Sequence, residues 1–295
     1  MKKTKGFTII ELLTVIMIIA LLMSIMVPGI KKAKQVAMSL KQKAQLREIG
    51  RGLELWFYDN DMDYPDSNFS VTASLYTTGA HKLAEALMGR DGHGFDPKST
   101  WDAAADETDP AIYGSTQLYH DRESVYLDYN KIGHFQIAQI YPVGGTGVVY
   151  PGDYDETPAA TSNSQAGVLT DVFKSKKITM PISGESVKIG SPILYFKANN
   201  TDIYDPSTPD QSIFNYIDNM AILALGHNLD GVVNPHPFAA VPDGVDDFYA
   251  SLVNPTARIN SISDPEPYNK DTFILMSAGS DGLYGTSDDV INISK

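Results

Sequence analysis

Hydrophobic and polar positions divide this chain into two very different regimes. Residues 7–27, FTIIELLTVIMIIALLMSIMV, are apolar at nearly every position, interrupted by one carboxylate, Glu11. Some 20 apolar residues are enough to cross a hydrocarbon core of about 30 Å as a helix rising about 1.5 Å per residue. A cleaved secretory signal has a shorter apolar run and a small-x-small cleavage site, whereas here VPGIKKAKQ follows. Beyond Pro28 the pattern becomes amphipathic. Ile30, Ala33, Ala37, Leu40, Ala44, Ile49, Leu53 and Trp56 recur at three–four spacing, which predicts a helix continuing to about residue 58 with one apolar stripe. Pro28 predicts a kink or local melt near residues 24–29. Gly50 and Gly52 weaken the distal part, so tertiary packing must hold it. The run DNDMDYPDS, residues 59–67, ends the helix.

From there elements become short and loops long. A helix is predicted at 81–88 (HKLAEALM) and another at 215–225. Strand-like runs occupy 135–141, 191–198 (SPILYFKA), 272–278 (TFILMSA) and 290–293. Residues 144–165 and 199–212 read as loops.

Charge sharpens the division. The first 58 residues hold ten basic and three acidic side chains, net +7, and the remainder thirteen against 33, net −20, of a total of −13. Such asymmetry marks two environments or partners. An acidic body lacks the basic footprint of nucleic-acid binding, and no nucleic-acid partner is expected. Its carboxylates suit oxygen-loving divalent cations, chiefly Ca²⁺, or simply a solvated surface. The chain has no cysteine, hence no disulfide, thiol nucleophile or thiolate metal site.

Lys5, Gly6, Phe7, Thr8, Ile10 and Glu11, with the apolar run and Pro28 after them, resemble the N-terminal signal of type IV pilins and type II secretion pseudopilins. The resemblance covers about the first 58 residues. It implies an α+β pilin-like fold in which a long N-terminal helix packs its distal half on an antiparallel sheet with long loops. The expected organisation is a leader at 1–6, a helix at 7–58 with its span at 7–27, and an exported globular domain at 59–295. It further implies cleavage by a prepilin peptidase between Gly6 and Phe7, methylation of the Phe7 amine, and assembly through Glu11 and Pro28. Glu11 lies one helical turn from that new amine; in this family the glutamate pairs with the terminal amine of a neighbouring subunit. Its cost in hydrocarbon makes it a functional residue by default. A protonated carboxyl tolerated near the interface is the plain alternative. Implied partners are the peptidase, other pilin or pseudopilin subunits, the inner-membrane assembly machinery and membrane lipid.

The expected location is the bacterial inner membrane, crossed once, N-terminus cytoplasmic and body extracytoplasmic. Lys31, Lys32, Lys34, Lys41 and Lys43 after the span outnumber Lys2, Lys3 and Lys5 before it. The positive-inside rule alone therefore does not give this orientation; the resemblance does.

A second resemblance lies at residues 277–290, SAGSDGLYGTSDDV, which look like the calcium loop of the major pseudopilin. It implies Ca²⁺ held by Asp281, Asp288 and Asp289 with carbonyls of Leu283 and Ser287. A glycine-rich turn with solvated acids is the alternative, Asp-Gly being a strong turn signal. Asp59, Asp61 and Asp63 alternate as in an EF-hand, but Tyr64 and Ser70 replace its glycine and glutamate, so they read as a solvated helix end. PDGVDD, 242–247, echoes the last loop as a weaker cation candidate.

Enzyme signatures are absent: no phosphate-binding loop, no Gly-x-Ser-x-Gly, no His-Glu-x-x-His. GRDGHG at 89–94 reads as a turn, since no strand feeds it. His227 and His236 read as structural, and the sequons at Asn68 and Asn199 carry no weight beside a bacterial-type leader. A non-enzymatic filament subunit is the expectation. Its rival is an anchored extracytoplasmic binding or enzymatic domain that forms no filament.

Overall fold

The computed structural model describes residues 8–72, 75–90, 92–97, 99–101, 124–128, 131–140, 166–179, 184–225, 236–239, 243–259 and 264–293. Its architecture is α+β: helix α1, Ile9–Asp59, is followed by small antiparallel sheets. Two compact units divide between Lys41 and Gln42.

In the first unit every large apolar residue described in the span, Ile9 through Val27, is exposed, by 45–79%. The helix passes through Pro28 without interruption, so the expected local melt is not seen. The missing amide at Pro28 removes one bond of the helical ladder, and the neighbouring turns remain helical.

In the second unit α1 buries Gln42, Gln45, Leu46, Ile49, Gly52, Leu53 and Trp56. The stripe expected from the sequence is thus corrected. Leu40 and Ala44 are exposed, and two glutamines join the buried face in their place. Gln45 donates from Nε2 to the Thr170 carbonyl at 2.9 Å, and Gln42 accepts the Val172 amide at 2.9 Å. Helix side chains here complete a strand end's hydrogen bonding, which a leucine cannot do. Gly52 permits close packing: a Cβ there would lie 3.2 Å from Leu127.

Among the described residues the other α-helices are α2 (Gly79–Met88), α3 (Ile137–Ile140), α4 (Met220–Leu225) and α5 (Asp243–Leu252). The strands are β1 (Ser70–Thr72), β2 (Leu75–Thr77), β3 (Gly133–Gln136), β4 (Gly167–Thr170), β5 (Lys176–Thr179), β6 (Ser186–Ile189), β7 (Leu194–Lys197), β8 (Val253–Ile259), β9 (Asp264–Pro267), β10 (Phe273–Ser277) and β11 (Val290–Ile291). The central sheet has the order β11-β10-β7, and β10 pairs antiparallel with both neighbours. All five residues of β10 are buried because the sheet is covered on both faces. Phe273 and Leu275 join α1 and α2 in one apolar cluster, with Leu46, Leu53, Trp56, Leu83 and Leu87. Ile274 and Met276 point into the other, with Phe196, Phe214, Tyr216, Phe248 and Tyr284. A continuous apolar run is what a strand buried on both faces requires.

Three further expectations change. The predicted strand at 135–141 is a strand only to Gln136 and then turns into α3. The segment at 215–225 is a 3-10 turn, Tyr216–Asn219, leading into α4. PDGVDD is no loop from Asp243 onward: it forms the first turn of α5, where Asp243 and Asp246 complement the helix N-terminus. The 144–165 stretch lies outside the described residues.

The exit from α1 is a polar clamp. Lys82 pairs with Asp66 at 2.6 Å and Lys197 with Asp63 at 2.7 Å. Ser67 donates to the buried Asp218 carboxyl and accepts the Lys197 amide at 2.9 Å. Burial, followed by the nearby charge of Asp66, pushes the Asp218 carboxyl up to about 8, against the Ser67 hydrogen bond, which favours its ionised form.

Candidate functional site

The N-terminal site begins where description begins; Gly6 and Phe7 lie outside the described residues. Thr8 donates from both its backbone amide (2.9 Å) and its hydroxyl (2.8 Å) to Glu11 Oε2, while the Glu11 amide donates back to Thr8 Oγ1 at 3.2 Å. This is a reciprocal capping box, and it satisfies helix-end donors that hydrocarbon would leave unpaired. The signal, Thr-x-x-Glu before an apolar run, stands plainly in the sequence. Glu11 thereby has a role inside its own chain. Both Thr8 donors go to Oε2, so Oε1 stays available to a further donor such as an ammonium. The other polar side chains of the span also turn back on the helix: Thr14 donates to the Glu11 carbonyl at 3.0 Å and Ser24 to the Leu21 carbonyl at 2.7 Å.

The C-terminal site is the loop joining β10 to β11. Asp288 clamps it. Its Oδ2 accepts the Ser280 amide (2.7 Å), the Ser280 hydroxyl (2.6 Å) and the Asp281 amide (3.2 Å), and its Oδ1 accepts the Thr286 hydroxyl (2.6 Å). Gly279 makes that approach possible, since a Cβ there would lie 2.5 Å from the Asp288 carbonyl oxygen and its φ is 67°. Asp281 accepts the Leu283 amide at 2.8 Å, and Asp289 Oδ2 accepts the Gly285 amide at 2.7 Å. Asp289 Oδ1 is buried with no hydrogen-bond partner. Tyr284 roots the loop in the core: its amide donates to His236 Nδ1 at 3.1 Å, its carbonyl accepts the Phe238 amide at 3.3 Å, and its hydroxyl donates to the Pro192 carbonyl.

The three carboxyls share one electrostatic environment. Burial first, then the charges of Asp281 and Asp288, pushes Asp289 up to about 7. Asp281 is raised by burial and by Asp288. Asp288 is lowered: burial opposes this, but the Ser280 and Thr286 hydroxyls and the loop amides stabilise its ionised form. The donor set is all oxygen, and the orphaned Asp289 oxygen asks for a cation or a proton. Among the described residues no group of three or more acidic, histidine or cysteine side chains is already arranged around one metal position. Asp288 is occupied as the loop's clamp, Leu283 offers its carbonyl beside Thr286, and Ser287 is exposed. Asp281 and Asp289 are therefore the carboxylates that fit a cation best, with carbonyl and water oxygens completing a shell of about 6–8.

Other acidic clusters resolve into separate pairings. Asp59 accepts the Tyr126 hydroxyl at 2.9 Å and Asp63 takes Lys197, so the EF-hand-like alternation gathers no shared position. Of the GRDGHG turn, Gly89 donates to the Glu85 carbonyl (2.8 Å) and Gly94 to that of Met88 (2.9 Å). His236 sits in the core as an acceptor, and His227 lies outside the described residues.

Residues 1–27 match the family model described as the prokaryotic N-terminal methylation motif. The chain carries a type IV pilin-type signal. The signal is joined to a helix long and apolar enough to cross a membrane, which fits a membrane-anchored, single-pass prepilin-like protein. The match ends within the anchor and does not extend to the body. No curated protein and no solved structure matches the chain.

Proposed function

We propose that this chain is a structural prepilin of the pseudopilin type, cut between Gly6 and Phe7, methylated on Phe7 and assembled into a filament with its body outside the cytoplasm. The observation that carries this reading is the methylation motif at residues 1–27 continuing into one helix whose span is wholly exposed and whose distal end is rooted in the body. In the unassembled subunit Glu11 is held by Thr8. In the filament its free oxygen accepts the methylated Phe7 ammonium of a neighbour. Low dielectric strengthens that attraction and equally penalises an unpaired charge, so the pair sets docking and register rather than net stability.

Mass spectrometry of the mature N-terminus tests the processing step. Loss of residues 1–6 and a methyl group on Phe7 are expected, and an intact Met1–Gly6 leader in the membrane fraction overturns the reading. Shearing and fractionation then distinguishes a filament subunit from a lone anchored protein. Glu11→Ala is expected to insert normally yet to be lost from the fibre fraction.

The loop between β10 and β11 is read as a Ca²⁺ site held by Asp281 and Asp289, with Asp288 bracing it and the Leu283 and Ser287 carbonyls available. The support is the all-oxygen donor set and the orphaned Asp289 Oδ1. A cysteine-free exported body gains from such a staple. Added Ca²⁺ at about a hundred times its dissociation constant stabilises a fold by about 2.7 kcal/mol. A parent melting temperature that does not rise with Ca²⁺ removes the site; Asp289→Asn is expected to abolish the rise.

A further inference from the structure

Between Glu11 and Glu48 helix α1 carries no acidic residue, yet it carries five lysines and Arg47. Exposed helical lysines are ordinarily matched by a carboxylate three or four residues away; these have none on their own helix. Among the described residues no ion pair involves Lys31, Lys32 or Lys34, and all three are exposed. Their countercharge comes from outside the chain. Position says which source fits. The three stand about 6–10 Å of helix beyond Val27, the end of the span, and a headgroup layer is about 5–7 Å deep. At about 3.6 residues per turn they fan over nearly half of the helix circumference. Helical side chains tilt towards the helix N-terminus. Their stems therefore lean back along the apolar span and set the ammonium groups at headgroup level. Lys41 and Lys43 stand about 21–24 Å beyond Val27. That is outside both the layer and the roughly 8 Å over which surface charge acts at physiological salt.

We propose that Lys31, Lys32 and Lys34 form a collar that binds anionic phospholipid headgroups in the leaflet on the body side, fixing the depth of the unassembled subunit. The proposal rests on the prepilin reading for the side of the membrane, and it adds a lipid class and the residues that hold it. It also accounts for the lysines after the span, which outnumber those before it: a lysine that trails the span stays unmatched unless the leaflet it enters supplies anions. Attraction to anionic lipid is worth about fivefold per lysine at the surface and dies away within a screening length. The same distance law leaves Lys41 and Lys43 out of the collar.

The cysteine-free chain allows a single fluorophore at I30C, beside the collar, in the full-length protein reconstituted in vesicles of equal parts phosphatidylcholine and phosphatidylglycerol. Quenching by nitroxide-labelled phosphatidylglycerol is compared with quenching by nitroxide-labelled phosphatidylcholine at the same mole fraction. A local enrichment of the anionic probe by about fivefold or more is expected. K31Q with K32Q and K34Q should abolish it, as should high salt. K41Q with K43Q, the same kind of change farther along the helix, should leave it intact. Glutamine is close to lysine in helix propensity and all five sites are exposed, so the helix persists in each variant. Equal quenching by both probes in the parent overturns the collar, as does a preference that K41Q with K43Q removes equally. Sidedness is read separately in cells with V36C and a membrane-impermeant thiol reagent, and labelling of intact spheroplasts is expected. Labelling only of inside-out vesicles overturns the orientation, the prepilin reading and the body-side collar together, whereas loss of the lipid preference alone leaves the prepilin reading standing.

Discussion

Over residues 9–41 helix α1 buries no residue, whereas from Gln42 to Trp56 it buries seven, and the backbone is helical throughout. The two stretches are made differently. The first holds a span, residues 9–27, that is apolar nearly all round and whose polar groups bond back to their own helix, followed by a lysine-rich exposed stretch. The second alternates, with one face of leucine, isoleucine, glycine and tryptophan, and two glutamines that bond to a strand end. A helix apolar on every side is a solute for lipid or for other helices, while a striped one is made to pack on one surface. The chain thus encodes two solvents in one element, and exposure alone is enough to separate an anchor from a core helix.

That contrast can be broken with matched substitutions. Leu53→Ala removes a fully buried side chain between Leu83, Leu87 and the sheet and should cost about 2–5 kcal/mol. Leu40→Ala, at 63% exposure, should stay within about 0.5 kcal/mol in the unassembled protein. Thermal unfolding of both in detergent measures the difference. Equal effects would mean that the stalk is covered in the single chain. The next effect is smaller. Gln42→Ala leaves the Val172 amide without its acceptor, and Gln45→Ala leaves the Thr170 carbonyl without this donor. Each should cost about 1–3 kcal/mol, with accelerated amide exchange at Val172 in the first case.

These glutamines also show what was legible in the sequence and what was not. The helix, its end at the aspartate run, the apolar character of β7 and β10 and the glycine-rich loop before β11 follow from local patterns. The buried stripe was misplaced by its own logic: Leu40 and Ala44 fit the spacing, and glutamine does not read as a core residue until a strand end supplies its partners. Strands β5, β6, β8 and β9 leave little trace in the sequence because they are two-stranded hairpin pieces with many polar positions and no clean alternation, and β8 is interrupted by a register shift. In the loop, the acids were visible, but the division of labour between Asp288 and its neighbours was not. It depends on which carboxylate reaches the Ser280 and Asp281 amides, and Gly279 decides that.

At the membrane end the comparison is sharpened by Thr8. Thr8→Val removes the hydroxyl half of the capping box, and a lost N-cap costs about 0.5–2 kcal/mol of helix stability. Thr8→Ser should behave as wild type. Fraying measured by amide exchange at Glu11 and Leu12 should rise in the valine variant, while body melting stays unchanged. A loss of body stability would show that the cap is felt beyond the first unit.

The most selective effect is on pH dependence. Asp218 is a carboxyl whose folded pKa, about 8, lies above its ordinary value of 3.8. The folded state therefore holds a proton that the unfolded chain releases, and linkage makes stability fall as pH rises between those two values. Its stabilising contribution is complete below the unfolded pKa and is lost through the folded one. Buried His81 acts in the opposite sense and at lower pH. Burial, with Arg90 nearby, lowers it to about 3 from 6.5, so it costs stability as pH falls below 6.5. Asp218→Asn keeps an acceptor for the Ser67 hydroxyl and has no proton to lose. Its melting temperature should be nearly flat from neutrality to about pH 8, where that of the parent declines; below pH 6.5 the variant should fall because His81 is retained, while in the parent Asp218 offsets that fall down to about pH 3.8. The measurement separates body from stalk, since Asp218, Ser67 and His81 all belong to the unit that begins at Gln42. Membrane insertion should be indifferent to the substitution at every pH. A parent whose body melts at the same temperature from pH 6 to pH 9 would mean that Asp218 is ionised in the fold, with its second oxygen satisfied by water.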